Sequence, residues 1–302
     1  MAKKLVPPLL NVTIEPTNAC NLNCEFCSNT NPKLFRRRKI GYISLDFYRS
    51  LVKQLDQFKY KIGLGLSFGG EPLLHPDFIP MLEMVLGKGY RIGLNTNAVL
   101  LNREVSDALV KAKVNSVTIG LGGIGKKHDE VRKGSHFEEV VSNIKYLIKK
   151  RGSSKYPLIH CTLTISDHTD EEISDFKKFW SGKVDNVVVG PCTLEDLSGV
   201  RFEERFEMDV NFTSNRLGFC AEPFNYMAIL HDGNVTICCS DLQGINSLPF
   251  NLKKDSIIKI WKSETYKDLR FRIANRNPIG LCKGCTVWMS RKLPTEATRT
   301  AC

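Results

Sequence analysis

No stretch of the 302 residues stays apolar for the roughly 20 positions that a membrane-crossing helix needs, and the opening LVPPLL, Leu5 to Leu10, is too short and proline-rich for a secretory leader. These two absences make the chain one expected in the cytoplasm, with no membrane span. Internal repeats and long low-complexity segments are also missing, which excludes solenoid arrays and extended disordered arms. Acidic residues are outnumbered, 32 Asp and Glu against 43 Lys and Arg, for a formal net charge of +11. That balance suits an anionic partner, whether a phosphorylated small molecule, nucleic acid or an acidic membrane surface. The densest basic run is FRRRK, Phe35 to Lys39. At 42% hydrophobic and 25% charged, the composition is that of a globular chain with residues for one large core or two ordinary domains.

What the sequence has in quantity is cysteine, 11 in all. A reducing compartment keeps thiols free, so clustered cysteines there read as metal ligands or catalysts rather than disulfides. Three fall together as Cys20, Cys24 and Cys27 within EPTNACNLNCEFCSN. A structural zinc site or a closed iron–sulfur cluster takes four protein ligands, so three thiolates with no local fourth leave one coordination position open to a ligand.

Apolar, β-rich segments alternate with amphipathic helical ones. Strands are expected over 9–14, 61–68, 90–96, 114–121, 157–165 and 185–190, and helices near 44–58, 77–88, 102–113, 135–151 and 169–181. Ser44, Asn102, Ser135 and Thr169 stand as capping residues at helix starts. Repeated βα units imply a parallel sheet or barrel, whose chemistry gathers at the C-terminal ends of the strands. The cysteine triplet falls just after the first strand. Beyond residue 191 the rhythm changes: Asp232-Gly233 signals a hairpin turn between arms 225–230 and 234–239, flanked by Cys220 and by Cys282 and Cys285. A first domain over 1–195 and a smaller second one over 196–302 are expected.

Cys20-x3-Cys24-x2-Cys27, with Phe26 before the last thiol, followed by GGEP at Gly69 to Pro72 closing the second strand, resembles the signature of the radical S-adenosylmethionine (SAM) superfamily. The resemblance implies an α/β fold, a partial (β/α)6 TIM-like barrel, and a 4Fe–4S cluster on the three cysteines whose open iron chelates the amino and carboxylate groups of SAM. It also implies cofactor contacts from Phe26, Gly69, Gly70 and Glu71. The glycines let backbone approach a ligand, and Glu71 can accept from the SAM ammonium. Phe26 suits a core aromatic as well.

The usual Ser-x-Asp-Gly of the family aligns with TIGLGG, where Gly120 and Gly122 stand instead, so the ribose is left to other groups such as Asn97, which also suits a plain turn. Cys220, Gly233-x4-Cys238 and Cys282-x2-Cys285 resemble the auxiliary-cluster domains SPASM and its short form Twitch, a small β-hairpin/α unit. Four thiolates there close a second 4Fe–4S cluster. Spacing selects Cys238 over Cys239, and strand alternation would turn its neighbour away. A structural zinc site is the alternative for these four thiols.

Of the remaining candidates, Cys161 reads as a small core residue and His75, before a proline, as local structure. Cys192, just past the sixth strand, is placed to take a proton or donate a hydrogen atom. The expected activity is that of a radical SAM oxidoreductase. An external one-electron reductant such as flavodoxin or ferredoxin drives SAM cleavage, the 5′-deoxyadenosyl radical takes a hydrogen atom from a small, possibly anionic or carrier-bound molecule, and the second cluster accepts the electron left behind. The layout resembles an aminocyclitol alcohol dehydrogenase with a single Twitch cluster. Alternatives are a ribosomal-peptide maturase that crosslinks or epimerises, and a redox-neutral elimination or epimerisation. A nucleic-acid-binding protein with structural clusters would leave GGEP and the open coordination position without a use.

Overall fold

The computed structural model describes residues 6–24, 26–30, 38–191, 220–275, 277 and 279–283. In chain order the elements are β1 (Asn11–Ile14), α1 (Leu45–Leu55), β2 (Gly63–Leu66), α2 (Phe78–Met84), β3 (Arg91–Thr96), α3 (Arg103–Lys111), β4 (Ser116–Leu121), α4 (Lys126–Val131), α5 (Phe137–Arg151), β5 (Leu158–Ile165), α6 (Asp170–Trp180) and β6 (Asn186–Pro191). Past an undescribed segment come α7 (Glu222–Asn225), β7 (Tyr226–Ile229), β8 (Val235–Thr236), α8 (Ile257–Trp261) and α9 (Glu264–Ala274). Among the described residues no helix is long and apolar enough to cross a membrane.

One eight-stranded sheet runs in the order β6-β5-β4-β3-β2-β1-β7-β8. The first six strands pair in parallel, each reached through a helical crossover, as a partial (β/α)6 barrel requires. Strand β7 lies parallel beside β1, with Asn11 opposite Tyr226 and Ile14 opposite Ile229. The hairpin partner β8 runs antiparallel to β7. Gly233 makes the turn at φ +93°, where a β-carbon would also strike the Asn251 side chain.

Period-two alternation divides the sheet into two chemistries. One face, with Val12, Ile14, Leu64, Leu66, Ile92, Leu94, Val117 and Ile119, is buried in the core shared with the helices. The other carries Asn11, Thr13, Gly65, Asn95, Thr118, His160 and Thr162, and is only partly covered. Cys161 sits on the core face, fully buried, as expected of a small core residue.

Ser44, Asn102 and Thr169 cap α1, α3 and α6 through their side chains. Ser135 does not cap α5. Its hydroxyl lies 2.9 Å from His128 Nε2, and α5 begins after His136 with no side-chain cap.

At the end of β1 the carboxylate of Glu15 gathers four parts of the chain. Arg38 donates to both of its oxygens, Gly69 N–H donates to Oε1 at 3.2 Å, and His231 N–H to Oε2 at 3.0 Å. His231 Nδ1 lies 3.0 Å from Glu15 Oε2 and from Arg38 Nη2, and Arg38 Nη1 also reaches the Leu242 carbonyl at 3.0 Å. Of the basic run, Arg38 is therefore a buried structural cation; Arg36 and Arg37 lie outside the described residues.

Burial alone would raise the Glu15 carboxyl, but the donors from Arg38 and His231 outweigh it and hold the group at about 2. The pair's stabilisation is thus complete above the ordinary carboxyl value of 4.5 and drains away as pH falls from there toward 2. Glu15→Gln keeps the shape but leaves the Arg38 guanidinium buried without a counter-charge. We expect a loss of about 3–5 kcal/mol in urea unfolding at neutral pH. A loss below about 1 kcal/mol would mean an exposed, solvent-screened pair instead.

Candidate active site

The loop after β1 is shaped by its own polar side chains. Asn18 Nδ2 donates to the Lys39 carbonyl at 2.9 Å, Asn18 Oδ1 accepts from Gly41 N–H at 2.9 Å, and Asn29 Nδ2 donates to the Asn18 carbonyl at 2.7 Å. Cys20, Cys24 and Cys27 then line one cavity of about 230 Å3 at the C-terminal ends of the strands, beside Phe26 and the GGEP segment. Burial pushes the Cys20 thiol up to about 12 and raises Cys24 too, so ionising them in place calls for a cation. Gly70 is pressed against this loop: a β-carbon there would sit 2.2 Å from the Ala19 carbonyl oxygen.

Glu71 is 2% exposed and held by its surroundings. Its N–H donates to the Ala19 carbonyl at 2.8 Å. Oε1 accepts from Thr96 Oγ1 at 2.7 Å and Leu73 N–H at 3.2 Å, and Oε2 accepts from Asn97 N–H at 2.8 Å. A carboxylate offers about four acceptor positions, so these three donors leave room for one more, on Oε2. Burial pushes the carboxyl up to about 7, and a cation at the free position would favour its ionised form.

Asn97, expected either at the ribose or as a plain turn residue, lines the cavity. Its side chain is engaged within the protein: Nδ2 donates to Asn21 Oδ1 at 2.9 Å and to Cys20 Sγ at 3.9 Å, and Oδ1 accepts from Val99 N–H at 3.0 Å. His75 serves local structure, Nε2 lying 2.8 Å from the Ile43 carbonyl and Nδ1 accepting from Asp77 N–H.

Arg132, which no local pattern in the sequence marks, is the one cation lining the cavity among the described residues. Its guanidinium lies 4.9 Å from the Phe26 ring centre, and Nη1 donates to Cys24 Sγ at 3.9 Å. Gly120 and Gly122 make its room. A β-carbon at Gly120 would meet Arg132 Nη2 at 2.8 Å, and one at Gly122 would meet Arg132 Cγ and Val131 Cβ at 2.9 Å.

In the second thiol group, Cys220, Cys238 and Cys282 are partly buried against the core, while Cys285 lies outside the described residues, as does Cys192. Strand alternation does not separate Cys238 from Cys239, because β8 ends at Thr236 and both cysteines follow it in a turn. Their thiols hydrogen-bond, and that contact together with burial raises Cys238 strongly. Backbone and side-chain N–H groups point at this set: Ser240 N–H at Cys238 Sγ, 3.4 Å, and Asn246 Nδ2 at Cys282 Sγ, 3.6 Å. The same loop borders the first cavity, which Leu242 lines, and Gln243 Nε2 donates to the Ser28 carbonyl at 3.1 Å.

Among the described residues no three Cys, His, Asp or Glu side chains converge as they would on a single metal ion. An iron–sulfur cluster spreads its thiolates over separate irons, and an all-thiol donor set around an open cavity suits one. A larger groove of about 490 Å3 between α5 and α6, floored by Val141, Ile148, Phe179 and Trp180, holds none of these thiols.

The contrast between Gly70 and Gly120 is testable. Gly70→Ala drives a side chain into backbone and should cost about 1–3 kcal/mol, whereas Gly120→Ala meets only the end of a flexible guanidinium and should cost less. Thermal unfolding of the two variants ranks them, and equal melting temperatures would contradict the tight contact at Gly70.

Comparison with known proteins follows this geometry. The model of the Radical SAM superfamily matches residues 14–179, and that of SPASM, an iron–sulfur cluster-binding domain, matches residues 220–286. The tungsten-containing aldehyde ferredoxin oxidoreductase cofactor-modifying protein of Pyrococcus furiosus is 24% identical over 301 residues, covering 87% of this chain and 83% of that protein. BtrN, solved in complex with AdoMet and 2-DOIA, shares the fold with a TM-score of 0.63 at 16% identity, over 93% of this chain and 94% of its own. Streptococcus suis SuiB bound to S-adenosylmethionine gives 0.71 at 17%, over 98% of this chain and 77% of its own. A radical SAM domain carries a 4Fe–4S cluster and SAM, and a SPASM domain carries further iron–sulfur ligation. The chain belongs to the radical SAM superfamily and bears a SPASM-type iron–sulfur domain.

Proposed function

We propose that this radical SAM enzyme oxidises a small polar molecule by two electrons, with one auxiliary 4Fe–4S cluster as the acceptor of the second. The observation that carries the reading is the shared wall. The loop that begins at Cys238 lines the first cavity through Leu242, so the segment carrying part of the second thiol set borders the space where a substrate radical would form. When bound, the first cluster and SAM supply the reductive cleavage that yields methionine and the 5′-deoxyadenosyl radical. That radical takes one hydrogen atom from substrate, which then gives up a proton and an electron. The electron for SAM cleavage comes from an external one-electron reductant of the flavodoxin or ferredoxin kind.

The chain's own residues take these roles. Cys20, Cys24 and Cys27 hold the first cluster, leaving one iron for SAM. Glu71 offers its free acceptor position to the SAM ammonium, and Arg132 faces the carboxylate as the cavity's cation. Gly69 and Gly70 bring backbone close, and Phe26 packs at the rim. Asn97 fixes Cys20 and Glu71 in place of contacting the ribose. Cys220, Cys238, Cys282 and Cys285 hold the auxiliary cluster, and Cys192, which follows β6 in the sequence, takes a proton or donates a hydrogen atom.

The cavity wall formed by Asn95, Thr118 and Thr162 offers uncharged donors and acceptors. Such a wall suits a hydroxyl- or amide-bearing small molecule better than an apolar one. The cofactor-modifying name of the Pyrococcus protein is in keeping with a small molecule.

Reconstituted protein should bind about eight irons, and the Cys20, Cys24, Cys27 triple Ala variant about four, with no 5′-deoxyadenosine formed. Cys282→Ala should still cleave SAM and move deuterium from a labelled substrate into 5′-deoxyadenosine, yet release no oxidised product. Product at the parent rate from a folded Cys282→Ala protein would point to redox-neutral chemistry.

Glu71→Gln should weaken SAM binding by about 1.5–3 kcal/mol with iron content unchanged. Calorimetry showing parent affinity would remove Glu71 from the SAM site.

A further inference from the structure

Asn246 presents a primary amide to a thiol that the proposed function makes a cluster ligand, and the surrounding chain is arranged to keep it there. Its Nδ2 donates to Cys282 Sγ at 3.6 Å. The backbone at Ile245 and Asn246 is pinned by Asp241, a fully buried carboxylate. Asp241 Oδ1 accepts from Ile245 N–H at 2.7 Å, and Oδ2 accepts from Asn246 N–H at 2.8 Å and from Thr236 Oγ1 at 2.6 Å. On the other side stands Gly280, at φ +54°, where a β-carbon would lie 2.0 Å from Asn246 Oδ1. Any larger residue at 280 would push the amide away from the sulfur. Packing alone would be served as well by Leu, which lacks the donor.

An N–H donated to a ligating thiolate stabilises negative charge on the sulfur. Reduction adds one electron, part of which resides on the sulfurs, so the hydrogen bond is stronger in the reduced cluster and the reduction potential rises. We propose that Asn246 is a positioning residue of the auxiliary cluster, whose amide orients Cys282 and raises the cluster's reduction potential. The inference rests on the reading that Cys282 ligates that cluster. Asp241 and Gly280 serve the same end at one remove, by fixing where the amide stands. A higher potential favours passage of the electron from a substrate radical to the cluster.

The test uses the full chain with Cys20, Cys24 and Cys27 replaced by Ala, reconstituted with iron and sulfide, so that only the auxiliary cluster reports. Redox titration followed by electron paramagnetic resonance then compares this parent with Asn246→Leu, Asn246→Asp and Gly280→Ala. Asn246→Leu should lower the cluster's reduction equilibrium constant about tenfold, about 59 mV for one electron. Asn246→Asp should lower it further, since it replaces a donor with a negative charge. Gly280→Ala should shift it in the same direction with Asn246 intact.

Retained iron with unchanged potentials in the Leu and Asp variants would overturn the proposal. Loss of iron from all three variants would overturn it too, by making Asn246 a folding residue. Should Asn246→Leu alone lose iron, the isosteric Asp variant and Gly280→Ala decide by their potentials. If the parent background binds no cluster at all, what fails is the assignment of the second thiol set.

Discussion

The carboxylate of Glu15 is the constraint on which the active-site end of the fold depends. It sits just past the end of the first strand and accepts from Gly69, Arg38 and His231, which belong to the GGEP segment, the far end of the cysteine loop and the β7–β8 hairpin. None of these donors is near another in sequence, and each would otherwise be a buried polar group in search of a partner. A buried ion pair is a poor source of net stability, because desolvation offsets most of its attraction. What it supplies is alignment: the loop of the first three thiols and the hairpin of the second set are referred to one anion. From a loop anchored at that junction, Leu242 lines the first cavity and Gln243 donates to the Ser28 carbonyl.

The strands were legible in the sequence because each core face alternates with a polar one, and the helices because apolar residues recur with a capping residue ahead of them. The failures have local causes. Helix α4 is short and enclosed by glycines, so its pattern is too brief to register. Ser135 has the chemistry of a cap, but His128, seven residues earlier, takes its hydroxyl. Alternation does not separate Cys238 from Cys239, because β8 ends at Thr236 and the two thiols lie beyond it.

In the site, the thiols and GGEP are legible since their function requires fixed spacing along the chain. Arg132 is not, because what brings it to the cavity is the absence of side chains at Gly120 and Gly122, on a strand before it. Glycines where a family has polar groups look like a loss when read alone. In the fold they are the space that a larger, charged group occupies. For Asn97 the sequence leaves the direction of the amide open, since after a strand end it can turn toward the cavity or back toward Cys20, and it makes the second contact while lining the first.

The pairing of β7 with β1 bears on the order in which the molecule can be completed. Strand β1 is made first, yet one of its two neighbours is Tyr226–Ile229, and Glu15 waits for a backbone donor 216 residues later. Contacts so distant in sequence form late, because the loop they close must be ordered before they return any stability. Docking of the hairpin brings Leu242 to the wall of the first cavity and Gln243 onto the Ser28 carbonyl. The strand order of the sheet thereby makes the wall beside the first three thiols depend on a segment 216 residues further along the chain.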